Sequence, residues 1–328
     1  MRSDPLLPHI PSHAEMLRNR LKKRKKVWEK WAQRLGTTAY RVYDLDIPEI
    51  PLYVDRYGDY AVVSWLIPRE LRALEEEPLR HPWMQAMYEA IAQGLGFSQD
   101  QVFVRTRRPT RGAEQYDALQ KKSVQTVVEE AGQNFMVNLS DYVDTGLFCD
   151  HRSTRALVRE KAKGKTVLNL FGYTGAFAVQ AAAGGASRTV TLDMSATYTA
   201  WATENYKRNG HFAPEHQARQ VDVLDWLQRD AWREERFDIV ILDPPTTSRS
   251  KRMNSSFDVQ RDHALLLRQT RQLLAPGGSL MFSTNFRRFR PDDDAFAPFS
   301  SAEEITAQTI PEDFQRSAPH RAWWLTAT

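Results

Sequence analysis

The sequence predicts an α/β protein in which a Rossmann-like, doubly wound parallel sheet follows a smaller α+β domain and a basic N-terminal helix. From about Lys165 onward, short apolar runs alternate with segments of helical periodicity, which is typical of parallel strands joined by crossover helices. Before that residue, strand-like runs surround one helical segment, as in small α+β domains. We therefore expect a basic helical arm over 1–36, the small domain over 37–140 and the Rossmann-like domain over 141–328.

The N-terminal segment carries all of the net positive charge of the chain. Its apolar residues recur at helical spacing over 12–34, and Gly36 ends the expected helix. Residues 1–34 hold ten basic and three acidic side chains, a net charge of +7, whereas the whole chain has a net charge of +4. A phosphate polymer such as RNA is the partner that this excess favours; the alternative is a solvated helix face. The candidate RNA contacts in this segment are Lys22, Lys23, Arg24, Lys25 and Lys26.

The small domain is expected to contain several strands and one helix. Runs rich in β-branched and aromatic residues predict strands over 40–43, 52–55, 60–65, 102–105, 125–128 and 135–139. The helix is expected over 82–95, because Pro82 suits a first helical turn and Gly96 suits a helix end. The polar stretch 106–123 is expected to be a loop.

The C-terminal domain is expected to contain five parallel strands joined by helices. The strands are predicted over 166–170, 189–193, 217–221, 237–242 and 279–283. In a sheet of this kind, ligands bind at the carboxyl ends of the strands, near the point where the strand order reverses.

A glycine-containing turn follows the first of these strands. It reads Asn169-Leu170-Phe171-Gly172-Tyr173-Thr174-Gly175. Glycines allow the backbone to approach a ligand closely, but the third glycine of a dinucleotide fingerprint, which seats a pyrophosphate, is missing. The turn therefore favours a nucleoside ligand without a pyrophosphate, such as S-adenosylmethionine (SAM). A tight strand-to-helix turn is the alternative.

Acidic residues stand at the next two strand ends. Asp193, followed by Met194, can accept both ribose hydroxyls of a nucleoside. Asp222, followed by Val223, offers a carboxylate to the adenine amino group. Each acid alone can instead be a helix N-cap, but together they predict a nucleoside-binding edge.

The fourth strand ends in the tetrapeptide Asp243-Pro244-Pro245-Thr246. The two prolines make this exit from the strand rigid, which suits a loop that positions a methyl acceptor without a general base. In this order, the motifs predict a SAM-dependent methyltransferase that releases S-adenosylhomocysteine (SAH). No metal is expected at the site.

Together these motifs resemble the ribosomal RNA large-subunit methyltransferase K/L family, in its C-terminal part, which methylates guanine N7 of 23S rRNA. The resemblance also rests on NLSDYVDTGLFCDHR at 138–152 and FDVQRDH at 257–263, and it covers nearly the whole chain from about Leu17. It implies a class I methyltransferase domain, a small domain that contacts RNA or substrate, and 23S rRNA or a large-subunit assembly intermediate as partner. Family members also carry an RNA-binding module and a guanine-N2 methyltransferase ahead of this part; these 328 residues contain neither.

The resemblance further implies cofactor contacts for Phe148, Asp150, Arg152 and Asp243. For Asp150 and Arg152, a salt bridge between the domain linker and the sheet is the alternative. Basic residues near the expected active edge are further candidates for RNA contact, with a solvated surface as the alternative. They are Lys251, Arg252, Arg287 and Arg288.

The available residues narrow the choice of methylated atom. Methylation of cytosine C5 needs a cysteine nucleophile, and the single cysteine, Cys149, precedes the cofactor loop. Enzymes that methylate exocyclic amines often have an aromatic residue where this chain has Thr246. Guanine N7 has a free lone pair and needs only alignment. Guanine N7 is therefore favoured, and the alternatives are a cytosine-C5 methyltransferase and a non-catalytic RNA-binding assembly factor.

The sequence shows no apolar run of the roughly 20 residues that cross a bilayer and no stretch typical of a signal peptide. A cytoplasmic protein is therefore expected. A single cysteine also excludes an internal disulfide and a cysteine metal cluster.

Overall fold

The computed structural model describes residues 4–68, 71, 77–106, 123–142, 144–229, 235–248 and 256–328. The predicted loop within 107–122 and the candidate RNA contacts Lys251 and Arg252 lie outside these described residues. None of the described helices is long and apolar enough to cross a bilayer.

The N-terminal part is a four-stranded sheet packed against two helices. Its elements are α1 (Ile10–Leu35), β1 (Ala39–Asp44), β2 (Leu52–Tyr57), β3 (Tyr60–Trp65), α2 (Pro82–Leu95) and β4 (Val102–Thr106). Strands β1 to β3 are antiparallel, and β4 joins β3 in parallel after the chain has passed through α2. The structure confirms the predicted strands and α2 in this part.

Helix α1 is packed into this part of the molecule and is not a detached arm. Leu17, Leu21 and Trp28 belong to the same buried cluster as Met87 and Ile91 of α2. The apolar stripe of α1 is therefore a core face, while its basic residues occupy the rest of the helix surface. The domain boundaries placed after residues 36 and 140 stay predictions.

A hairpin fills the space between the two sheets. It consists of β5 (Gln125–Glu130) and β6 (Gln133–Asn138), which pair in antiparallel fashion. Val128 and Phe135 of the hairpin are buried in one cluster with Ala39 of the small sheet and Val179 of the large domain. The hairpin therefore provides the apolar contact between the two halves.

The C-terminal part is a seven-stranded sheet flanked by helices. Its helices are α3 (Arg152–Lys161), α4 (Ala176–Ala183), α5 (Ala196–Arg208), α6 (Val223–Gln228), α7 (Val259–Arg271), α8 (Asp293–Phe296) and α9 (Thr306–Thr309). Its strands are β7 (Thr166–Leu170), β8 (Arg188–Asp193), β9 (His216–Gln220), β10 (Phe237–Leu242), β13 (Leu274–Thr284), β14 (Ser301–Glu304) and β15 (Arg321–Thr326), and a small ladder is formed by β11 (Thr247–Ser248) and β12 (Phe257–Asp258).

The order of the large sheet is β14-β15-β13-β10-β7-β8-β9. The five predicted strands, β7, β8, β9, β10 and β13, are parallel to their neighbours in this set, which confirms the prediction. Strands β14 and β15 are antiparallel additions that were not predicted. The sequence order reverses between β7 and β10, so this is the switch point of the sheet.

A set of buried charges joins the small sheet, the hairpin and the large domain. We call it the domain-joining charge network; its members are Arg41, Asp44, Asp55, Glu130, Arg152, Arg155 and Asp313. Arg41 donates from Nε and Nη2 to the two carboxylate oxygens of Asp55, at 2.6 and 3.0 Å. Arg155 of α3 binds Glu130 of the hairpin in the same two-pronged way, at 2.7 and 2.6 Å.

Asp313 connects the two ends of this network. Its carboxylate accepts hydrogen bonds from Arg152 Nη1 at 2.9 Å and from the backbone N–H of Arg41 at 2.9 Å. Asp44 in turn accepts the backbone N–H groups of Arg316 and Ser317, at 3.0 and 2.8 Å. Because these groups come from both ends of the chain, the network fixes the small domain on the C-terminal part.

Candidate functional site

The loop 169–175 and the tetrapeptide 243–246 lie at the same edge of the large sheet. They follow β7 and β10, which are paired from Val167 with Ile239 to Leu170 with Leu242. Because the two strands flank the switch point, the loop and the tetrapeptide border the crevice where such sheets bind ligands.

The loop after β7 has a strained backbone. Phe171, Tyr173 and Gly175 have φ angles of 53°, 50° and 75°, so left-handed residues alternate along it. The conformation suits glycine but costs about 1–3 kcal/mol for each other residue. The surroundings must hold it in place, and such strain is concentrated at functional sites.

Gly172 is needed for packing within the protein. A Cβ at this position would lie 2.4 Å from Thr191 Cγ2 and 2.7 Å from Asn169 Nδ2. At Gly175 a Cβ would lie 2.9 Å from the Cβ of Ala202 in α5. Both glycines therefore let the loop lie against β8 and α5, and their predicted contact with the cofactor stays a prediction.

Asp193 ties the loop to the end of β8. One carboxylate oxygen accepts the N–H of Tyr173 at 3.0 Å, and the other accepts the N–H of Ser195 at 2.9 Å. The N-cap of α5 is Ser195, so the cap alternative for Asp193 is not what the structure shows. Burial raises the pKa of Asp193 to about 6, although its two backbone partners act in the opposite direction.

Asp222 does act as a helix cap. Its Oδ1 accepts the N–H groups of Leu224 and Asp225, at 3.1 and 3.3 Å, at the start of α6. The side chain of Val223 is 2% exposed and packs in the core of the large domain, so only its backbone can reach a cofactor. Met194 is half-buried beside Asp193.

The tetrapeptide is held at both ends by residues at the carboxyl end of β13. Ser283 donates its hydroxyl to Asp243 Oδ1 at 2.7 Å, and Thr246 donates to the side-chain oxygen of Asn285. Pro244 is buried and Pro245 half-buried. Neither Ser283 nor Asn285 was predicted, because a strand end gives no local signal for contact with a neighbouring strand.

Two stacked histidines lie on the other side of Asp243. His151 Nε2 is 3.5 Å from Asp243 Oδ2, and the rings of His151 and His320 are 4.1 Å apart and nearly parallel. Burial and the neighbouring His320 lower the pKa of His151 to about 4, so His151 is neutral at physiological pH. His151 adjoins the predicted Asp150, but His320 is brought here only by the fold.

Asp150 completes this group through its contact with His320, 3.3 Å away. Burial alone would raise the pKa of Asp150, but the hydrogen bond with His320 and the two imidazoles lower it below its usual range. The possible ligand atoms of Asp150, His151 and His320 lie within 4.8 Å of one another. Both ring nitrogens of His320 have protein partners, Asp150 and Thr309, and we assign no metal here.

Phe148 and Arg152 have different environments. Phe148 is 40% exposed and its ring lies 5.1 Å from that of Tyr173 in the loop. Arg152 is buried, binds Asp313 and donates to the carbonyl of Ala39 at 2.6 Å. Its guanidinium also lies over the ring of Trp31. These contacts are those of the alternative, a salt bridge that joins domains, and the cofactor contact expected for Arg152 stays a prediction.

The candidate RNA contacts on α1 fall into two groups. Lys22, Lys23 and Lys26 are exposed. Arg24 pairs with the buried Asp46 at 3.2 Å, and Lys25 donates to the carbonyl of Leu95 at 2.6 Å, so these two cations help to hold α1 in place. In the second predicted cluster, Arg287 and Arg288 are both exposed, directly after β13.

A family model described as S-adenosylmethionine-dependent methyltransferase matches residues 67–308. The chain belongs to this family. SAM is therefore its cofactor and SAH its product. We propose that the crevice at the switch point is the active site.

Curated relatives are similar to this chain over almost all of its length. It is 44% identical over 311 residues to a Shewanella amazonensis protein named Ribosomal RNA large subunit methyltransferase K/L. It is 42% identical over 316 residues to the Aeromonas hydrophila protein of the same name. These matches cover 94% and 95% of this chain but 43% of each relative. The chain thus spans less than half the length of these relatives.

Solved structures confirm the fold. A methyltransferase crystallised with SAH has a TM-score of 0.75 at 24% identity, over 96% of this chain and 82% of its own. A SAM-dependent methyltransferase from Streptococcus mutans has a TM-score of 0.73 at 23% identity, over 96% and 81%. The Rossmann-like class I fold predicted from the sequence is therefore confirmed.

Asp193 has the chemistry that the ribose of SAM requires. A carboxylate offers about four lone-pair positions, and backbone N–H groups occupy one on each oxygen of Asp193. One position on each oxygen is left, which matches the two hydroxyls of a ribose. We propose that Asp193 binds this diol, and that the exposed ring of Phe148 packs against the nucleoside.

This assignment predicts that cofactor affinity rises with pH. The ionised Asp193 is the better acceptor for two hydroxyls, and its pKa of about 6 means that the carboxyl is mostly protonated below that pH. We expect SAH to bind about tenfold more weakly at pH 5 than at pH 7.5, as measured by isothermal titration calorimetry. Asp193→Asn should bind SAH weakly at both pH values. An unchanged pH dependence in Asp193→Asn would contradict the assignment.

Proposed function

We propose that this methyltransferase modifies large-subunit ribosomal RNA and that the methylated atom is N7 of a guanine. The observation that carries the proposal is its 41–44% identity, over 94–99% of the chain, to proteins named Ribosomal RNA large subunit methyltransferase K/L. The partner would be 23S rRNA or an assembly intermediate of the large subunit, which also implies a cytoplasmic location.

The bound cofactor would supply a methyl group on a positively charged sulfur. The lone pair of guanine N7 forms the new bond to this carbon while the carbon–sulfur bond breaks and its electron pair stays on sulfur. No proton has to be removed, so the protein needs only to align the two groups. Alignment of this kind can contribute roughly 7–11 kcal/mol.

The tetrapeptide is suited to alignment. Two prolines restrict its backbone, Ser283 and Asn285 hold its two ends, and His151 lies against Asp243. His151 is neutral, and its Nδ1 lies 3.3 Å from Thr154 Oγ1, so it is itself fixed in orientation. We propose that these residues position the loop against the acceptor base.

Cys149 is a poor nucleophile in this structure, which disfavours cytosine C5 as the acceptor. Its side chain is 4% exposed and packs in the apolar cluster between the two halves. Burial raises the pKa of its thiol to about 12, so almost no thiolate forms at neutral pH.

The proposal predicts 7-methylguanosine as the product. Unmodified large-subunit rRNA from a deletion strain, incubated with SAM and the enzyme, should yield this nucleoside in a nuclease digest analysed by mass spectrometry. Recovery of 5-methylcytidine would contradict the proposal. Salt-dependent RNA binding with no methylated nucleoside would favour the third possibility, an RNA-binding assembly factor without turnover.

The Cys149→Ser variant is the control for this experiment. Because the thiol is buried and protonated, its replacement should leave the rate of methyl transfer within about twofold, once the protein is shown to be folded. Loss of transfer with unchanged SAH affinity would instead indicate a cysteine adduct with cytosine.

The exposed lysines of α1 should strengthen RNA binding. Deletion of 1–34 is unsuitable as a test, because it would remove Leu17, Leu21 and Trp28 from the core. We expect the Lys22→Gln, Lys23→Gln, Lys26→Gln triple variant to bind rRNA more weakly. The slope of log K against log salt should become shallower by about 2–3, since each lost phosphate contact contributes roughly 0.7–0.9.

The matched control removes three lysines from the large domain, at the amino ends of the parallel strands and thus away from the proposed active site. Lys161, Lys163 and Lys165 are exposed and precede β7, so they lie at its amino end. Their replacement by Gln should leave the salt dependence unchanged in a filter-binding assay. Equal effects of the two triple variants would show that α1 is not a specific RNA contact.

A further inference from the structure

A cleft of about 250 Å³ opens beside the tetrapeptide, between the segment after β13 and the segment before β15. Its walls include Asn285, Phe286 and Arg287 on one side and Ser317, His320 and Arg321 on the other. The first of these walls is joined to the tetrapeptide by the hydrogen bond between Asn285 and Thr246. His320 joins the opposite wall to Asp243, because it stacks on His151.

The side chains that line the cleft include hydrogen-bond donors but no carboxylate among the described residues. None of the nine described residues that line it is acidic. Several of its donors are already engaged: Arg321 binds Glu304 and the carbonyl of Phe289, and Ser317 binds Arg41 and the carbonyl of Phe314. His320 contacts Asp150 through one ring nitrogen and Thr309 through the other.

Two donors in the cleft wall are left over for a ligand. Asn285 uses its side-chain oxygen for Thr246, and its amide nitrogen has no hydrogen-bond partner among the described residues. The guanidinium of Arg287 is exposed and pairs with no acid in the described part of the chain. The amide thus lies beside the tetrapeptide, whereas the cation is free to contact solvent or a ligand.

We propose that this cleft binds the target guanosine, with the Asn285 amide donating to O6 and Arg287 contacting a phosphate of the same strand. The proposal rests on the proposed function and adds the residues that select the base. On the edge that carries N7, guanine presents two acceptors, N7 and O6. If N7 faces the methyl group, its lone pair is used in the reaction, and O6 beside it is the acceptor that a side chain can read.

The wall also provides a surface for the base itself. Phe286 is half-buried and packs against the core of the large domain, so its ring is held in place next to Asn285. Bases taken out of a helix are commonly stacked on aromatic rings. The tetrapeptide ends in Thr246 and has no aromatic residue. Phe286 would supply the aromatic contact with the base instead.

The Asn285→Asp variant separates base recognition from support of the tetrapeptide. Asp keeps an oxygen that can accept from Thr246, but it replaces the amide donor with a negative charge facing O6. We expect kcat/KM for rRNA to fall about 5- to 100-fold in Asn285→Asp and in Asn285→Ala. SAH affinity should stay within about twofold in both. Full activity of Asn285→Asp would overturn the role in base recognition.

A second measurement tests the contact atom by atom. The mapped target guanosine is replaced in a synthetic RNA by 2-aminopurine, which lacks O6, or by inosine, which lacks only the 2-amino group. The wild-type enzyme should lose activity with 2-aminopurine and keep it with inosine. With 2-aminopurine, Asn285→Asp should cost nothing further, because this variant keeps the contact with Thr246 and the base has no O6 for the amide to bind. If the loss caused by the base analogue and the loss caused by the substitution at position 285 multiply, the proposal is overturned.

Arg287→Ala should raise KM for rRNA about 3- to 10-fold and leave kcat nearly unchanged, as expected for a phosphate contact. The control is Arg268→Ala, since Arg268 is exposed on α7 and lies outside the cleft. Equal effects of the two substitutions would overturn the role of Arg287.

The outcomes separate the proposed function from the role of the cleft. A wild-type enzyme that methylates no guanine would refute the proposed function. An active enzyme whose rate does not depend on Asn285 would refute only the proposal that the cleft binds the target guanosine.

Discussion

The domain-joining charge network is the constraint on which the rest of the structure depends. Arginine and carboxylate groups inside a protein lose their hydration, and they are tolerated only when each is paired and hydrogen-bonded. Here the two terminal nitrogens of Arg152 have their partners only when Asp313 and the small domain are both in place. Because Asp150 and His151 directly precede Arg152, the same anchoring sets them against His320 and Asp243. The network thereby links domain docking to the geometry of the active edge.

Much of the fold could be predicted because its signals are local. Apolar runs of strand length located four of the five parallel strands, whereas β9 is polar. The turn after β7 and the tetrapeptide after β10 marked the ligand-binding edge. Strand β14 was missed, since Ser301–Glu304 is exposed along its whole length and has no apolar alternation. Strand β15 was also missed, although Ala322, Trp323 and Leu325 are buried. The role of Arg152 was open for another reason: a lone arginine in a sequence does not reveal whether its partner is a ligand or a distant acid.

The same limit applies to the site. Asp193 and the tetrapeptide were found because they directly follow predicted strands. His320, Ser283 and Asn285 reach the tetrapeptide through contacts between segments that are far apart in sequence. The packing role of Gly172 was not predicted, because the sequence cannot show that Thr191 occupies the space beside it. The structure therefore adds the supporting residues around a site whose position the sequence already indicated.

The most direct test of this account is the stability of the Arg152→Met variant, measured by denaturant unfolding together with SAH affinity. The account predicts a loss of about 3–5 kcal/mol in the free energy of unfolding, since Asp313 and Glu130 would stay buried without this cation. SAH affinity of the folded variant should stay within about twofold, and Arg268→Met, at an exposed site, should change neither quantity. A loss of SAH affinity with unchanged stability would contradict the account, because it would make Arg152 a cofactor ligand rather than the link between domains.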